Sequence, residues 1–230
     1  MPQPALRMEA VVLRPDSASA LLELLDERAE TALEGLAGVA EGHSADPNRY
    51  VAELSHFLGL LHGETPSVLD IVAASAPQLS RRLEAACAQL SADRRWLAQL
   101  SVKTGHLVEL SGLSESEFAV RNLRTAMMTL AQSQRQGCGL GVALGVLSDW
   151  PKLRAALDLA GTLAFSAGWP SPETGWPQGA RHTLLDEVEG AFAALPTARA
   201  VSFGAGQWLQ VHAQLLRLVD ARCGHSVVSS

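Results

Sequence analysis

The stretch SEFAVRNLRTAMMTLAQSQRQGCGLGVALGVLS, running from Ser116 to Ser148, contains no proline and changes character halfway along. Its first half has the pattern of an amphipathic helix, with Leu123, Met127 and Leu130 on one face. Its second half, Gly137 to Leu147, has no polar face at all. A helix that is apolar all round lies inside a bundle, so one continuous central helix with neighbours on every side is predicted. Ser114-Glu-Ser-Glu117 has the form of a capping box at its start, and Asp149-Trp-Pro151 ends it and starts the next helix. Gly137, Gly141 and Gly145 recur every four residues along one face. Each glycine costs up to about 1 kcal/mol against alanine in a helix, so a closely approaching neighbour helix is the expected reason for them, ahead of space left for a ligand. The row is not a dinucleotide loop, because the spacing is not GxGxxG and no strand precedes it.

The flanking chain repeats the helical period. A helix is expected from Ser17 or Ser19 to about Ala40, with Leu22, Leu25, Ala29, Ala32, Leu36 and Val39 as its stripe. Asp46-Pro47 starts another that runs to His62, where Gly63 stops it. Thr65-Pro66 repeats the cap-then-proline signal for a short helix to Ala74, and Ser75-Ala-Pro-Gln78 opens the next in capping-box form. In that helix Leu79, Leu83, Ala86, Leu90, Leu97 and Leu100 form a seam interrupted at Asp93. Charges are rarely buried unpaired, so Asp93 is expected at the surface or at a local break. Residues 103–114 read as a loop. Gly168 to Gly179, with Gly-Trp-Pro twice, reads as a rigid surface loop whose tryptophans anchor it to the core. A helix from Ala180 to Leu195, ended by Pro196, and a last helix to about Arg222 complete the chain; residues 1–15 are ambiguous and the tail from Gly224 is expected to fray. Nothing alternates with period two for long enough to need a sheet. The expected fold is all-α: a single-domain bundle of about seven or eight helices spanning residues 1–230.

Composition narrows the function classes. An apolar fraction of 47% with 18% charged residues is that of a globular domain. A net charge of −6 argues against nucleic-acid binding, which needs clustered Lys and Arg. No segment has the roughly 18 uncharged apolar residues of a membrane span. Met-Pro-Gln-Pro with Arg7 and Glu9 does not open a signal peptide. Cys87, Cys138 and Cys223 are too scattered for a disulfide framework or a CxxC metal site, and reduced thiols in the cytoplasm are the simplest reading.

Four side chains are candidates for a ligand site. Trp208, His212, Leu215 and Val219 form one stripe, so His212 is expected to be buried and to need a partner. Gln134 takes the corresponding place on the central helix, flanked by Arg124 and Arg135. His62, at a helix C-terminus, reads first as a cap on the terminal carbonyls. Glu53-Leu-Ser-His56 has the Glu-x-x-His spacing of di-iron carboxylate bundles, but no second copy exists and His56 is expected to face solvent. No metal set is therefore assigned, and no cofactor is indicated. Cys138 is expected to be an inert buried thiol.

Three segments, Leu60 to Asp70, Ala131 to Gly141 with Asp149-Trp150, and Phe203 to His212, resemble a family of uncharacterised all-helical proteins of alphaproteobacteria. The resemblance implies a helical fold over most of the chain and brings no activity with it. In size and helix count the chain also resembles haem-oxygenase-like bundles, a likeness of fold alone. The expectation is a small, largely apolar ligand, or a partner, near Gln134 and His212, with His62 and Arg124 as further candidates. The rivals are a metal-dependent enzyme using His62, His212 and nearby carboxylates, and an oligomerisation module, a homodimer through the Ala-rich first helix.

Overall fold

The computed structural model describes residues 13, 15–42, 44, 46–105, 112–165, 168–172, 175–177 and 179–224. Among them it contains nine α-helices and no strand. These are α1 (Ala18–Ala32), α2 (Glu34–Ala40), α3 (Pro47–His62), α4 (Val68–Ser75), α5 (Pro77–Thr104), α6 (Leu113–Ala131), α7 (Cys138–Phe165), α8 (Leu185–Phe192) and α9 (Leu195–Cys223). A 3-10 turn at His182–Leu184 leads into α8. The expectations for residues 1–12, 14 and 225–230, and for 106–111 of the 103–114 loop, fall outside the described residues, while Lys103 and Thr104 end α5 and Leu113 and Ser114 begin α6, so the connection is shorter than expected. No helix among those described is long and apolar enough to cross a membrane.

The apolar run is central, as its composition requires. Helix α7 packs against α1, α2, α3, α4, α6 and α9, and every residue from Gly141 to Trp150 is buried. Its largest interface is with α9. A Cβ at Gly141 would stand 2.0 Å from the Val201 carbonyl oxygen, and one at Gly204 would stand 2.3 Å from that of Cys138. The two backbones therefore touch directly. A Cβ at Gly145 would press on Trp208 at 2.9 Å. Because the contacts 141 to 205, 145 to 208 and 149 to 212 advance together, α7 and α9 run parallel.

The central helix is not continuous where it was expected to be. It breaks over residues 132–137, and Gly137 takes φ +94° there, a conformation rare for residues with a Cβ. Conversely, α7 runs straight past Pro151, which removes one hydrogen-bond donor from the ladder immediately after Trp150. Burial of the whole turn before the proline, with Leu153, Arg154 and Leu157 buried after it, outweighs that local loss. Helix α1 stops at Leu33 before α2 begins, so the first expected helix is two. Pro196 starts α9 instead of ending its predecessor, since a missing N–H costs nothing in a first turn.

Neither Ser114 nor Ser75 caps a helix; Gly112 and Ala76 hold those positions without side-chain bonds. The capping box that does form is Ser67 with Asp70 at the start of α4, two residues after Thr65. Asp46 caps α3 and Ser17 caps α1. Trp169 is buried with its indole N–H donating to Asp158 at 3.1 Å, the anchor expected of that loop.

Candidate functional site

Three helices deliver three buried polar side chains to one line. Helix α3 ends in His62, α7 carries Asp149 just before Trp150, and α9 carries His212 in an otherwise apolar stripe. The parallel α7–α9 packing puts Asp149 across from His212, and the antiparallel α3 brings His62 to the other side of the same ring. His212 Nδ1 bonds Asp149 Oδ2, and His212 Nε2 lies 2.8 Å from His62 Nε2. Relative exposures of 1% for His212, 2% for Asp149 and 9% for His62 leave the chain almost dry.

Donor counting fixes its protonation states. A neutral imidazole has one donor and one acceptor nitrogen. With Nδ1–H of His212 donating to the Asp149 carboxylate, His212 Nε2 accepts from His62 Nε2–H. Adding one proton at His62 Nδ1 reverses the central bond: the Nε2 hydrogen of His62 passes to His212, which then donates from both nitrogens while His62 accepts at Nε2. Burial, then the charge of His212, then that of Arg124 hold His62 well below the ordinary histidine pKa. The side-chain bond to His212 runs through Nε2 of His62.

Trp150 and Trp208 pack around the pair. Their ring centroids lie 4.8 Å and 5.6 Å from that of His62, with Trp208 4.7 Å from His212. The Trp150 indole N–H donates to Asp93 Oδ2 at 2.8 Å. Asp93, expected at the surface, is 1% exposed within an unbroken α5. It is tolerable there because it also accepts from Arg154 Nε at 2.8 Å and Gln89 Nε2 at 3.0 Å, so its charge is paired and its oxygens are filled.

Beside His62 and Trp150 lies a small cavity of about 10 Å³, also lined by Asp93, Arg94, Arg124 and Ser67. That is room for roughly one water molecule. Arg124 Nη1 donates to the Leu61 carbonyl at 2.7 Å, and its Nε lies 3.1 Å from Glu64 Oε2. It is thus Arg124, and not His62, that bonds the Leu61 carbonyl at the end of α3. The connection from Gly63 to Pro66 is exposed.

Of the four sequence candidates, the structure brings together His62, His212 and Arg124 and separates Gln134 from them. Gln134 was expected to be buried opposite His212; it is exposed in the break after α6 and lines an open groove with Val72, Ser75 and Thr197. Sequence reasoning missed Asp149, Asp93, Arg94 and Trp150. The available signal was two carboxylates inside apolar runs, which local rules assigned to a helix end and to the surface. Glu53 and His56 part company: Glu53 is wholly buried against Arg49 and Arg222, while His56 pairs with Glu117 at a half-exposed edge. Among the described residues, no three His, Cys, Asp or Glu side chains cluster so as to hold a metal ion.

A family model described as a family of unknown function, DUF6975, matches residues 21–225, and the chain belongs to that family. Comparison with curated proteins and with solved structures gives no match.

Proposed function

We propose that the protein binds a small molecule at the His62 end of the Asp149–His212–His62 chain and exchanges a proton with it. The carrying observation is the 2.8 Å bond between two buried imidazoles, one backed by a carboxylate and the other opening on a cavity beside Arg124. A core needing one polar tie would be served by Asp149 and His212 alone. The second imidazole adds a desolvation cost and a route along which a proton moves. A ligand proton taken by His62 Nδ1 passes the Nε2 hydrogen of His62 to His212 Nε2, and the resulting charge sits against Asp149. Arrangements of this kind suit general acid–base chemistry, in which the imidazole nearest the ligand stays neutral until it acts.

The test is a thermal-shift screen of small organic acids, bases and esters at two pH values. The expected result is a compound whose stabilisation depends on pH in the wild type and loses that dependence in His62→Gln, with His56→Gln as the surface control. If no compound shifts the melting temperature and the double variant His62→Leu/His212→Leu is simply more stable, the chain is a structural tie and the reading is wrong. Cytoplasmic placement is part of the same proposal, supported by three cysteines that are all free thiols. An alphaproteobacterial source rests on the sequence resemblance alone.

A further inference from the structure

Arg94 and Arg124 both line the cavity, and each carries an ion pair that differs from the other charge pairs of the site. Arg124 reaches Glu64, whose side chain is 61% exposed. Arg94 reaches Asp70 only at 3.8 Å, because Asp70 Oδ2 is already taken by the Ser67 N–H at 2.8 Å and the Ser67 hydroxyl at 2.7 Å. Arg94 Nη1 is buried and, among the described residues, has no hydrogen-bond partner. A guanidinium nitrogen without an acceptor is costly, since a charged donor loses its water and receives nothing in return. Asp93, the other carboxylate on the cavity wall, is committed to Arg154, Trp150 and Gln89 and offers no relief.

We propose that Arg94 and Arg124 form an oxyanion-binding pair above His62, and that Glu64 occupies the place of the anion when the site is closed. The ligand class is a small molecule with a carboxylate or phosphate group, held by the two guanidinium groups with its remainder over His62 and Trp150. Binding requires Glu64 to leave Arg124, which the exposure of its side chain allows. The cavity of about 10 Å³ is the closed state of this site. The inference rests on the proton-exchange reading only for the orientation of the ligand toward His62.

The experiment measures stabilisation of the full chain by inorganic phosphate and by succinate, each against sodium chloride at equal ionic strength. Stabilisation above the chloride control by phosphate alone identifies a phosphate ligand, and by succinate alone a carboxylate ligand. Glu64→Gln removes the competing carboxylate of an exposed pair and is expected to tighten binding about two- to five-fold. Arg94→Gln removes a charged donor and is expected to weaken it about tenfold or more, with circular dichroism confirming the fold. Neither anion exceeding chloride, or both variants binding like wild type, overturns the proposal. Retained anion binding with no pH effect in any variant leaves the arginine pair standing and sinks the proton relay instead.

Discussion

Replacing His62 with glutamine should flatten the dependence of stability on pH between neutrality and mild acid. In the folded chain His62 faces His212, backed by Asp149, from α9 and α7; Arg124 from α6; and Arg94 and Asp93 from α5. Burial, His212 and Arg124 depress its pKa. The unfolded chain therefore binds a proton at this residue that the folded chain refuses. Stability falls as pH drops below the unfolded value of about 6.5, with a limiting slope of about 1.4 kcal/mol per pH unit, and keeps falling until the folded site titrates. Between about pH 7.5 and about pH 5 this one group should cost about 2 kcal/mol. Glutamine can still bond His212 Nε2 but has nothing to titrate in that range, so subtracting the two curves cancels the carboxylates and the remote histidines. The difference belongs to the imidazole pair and not to either ring singly. Urea unfolding followed by tryptophan fluorescence measures it, since Trp150 and Trp208 both pack on His62. Parallel wild-type and variant curves would refute the account, because His62 would then titrate alike in both states.

Gly141→Ala should destabilise by at least about 2 kcal/mol despite its better helix propensity, because its Cβ would stand 2.0 Å from a backbone oxygen that cannot step aside. Gly190→Ala, with nothing within 4 Å, should stabilise by up to about 1 kcal/mol, and the opposite signs in urea melts check the packing claim. Asp93→Ala removes the buried acceptor shared by Arg154, Trp150 and Gln89 and should cost about 3–5 kcal/mol, read as a lowered urea midpoint. Gln134→Leu, now placed on the surface, should change stability by no more than about 0.5 kcal/mol, against the larger change a core position would give.

Helical period, caps and the apolar run were enough to read an all-helical chain and to place its innermost segment, because each depends on residues within a turn or two of one another. The same locality exposed His212 as a buried polar residue wanting a partner, and the glycine row as a contact with a close neighbour. It misled wherever distant residues outweigh local preference. Pro151 stays inside α7 because the buried residues on either side of it hold the helix together, and Asp93 stays inside α5 because Arg154 and Trp150 arrive from another helix to neutralise and fill it. The break at Gln134 turned on a positive φ at Gly137, three residues further on, that the surrounding pattern concealed. The partner of His212 could not be found along the chain at all: His62 lies 150 residues away. The small residues of α7 made a close helix crossing possible, but which helix crossed there, and in parallel, was settled by three-dimensional packing. That packing is what puts Asp149, His212 and His62 in line.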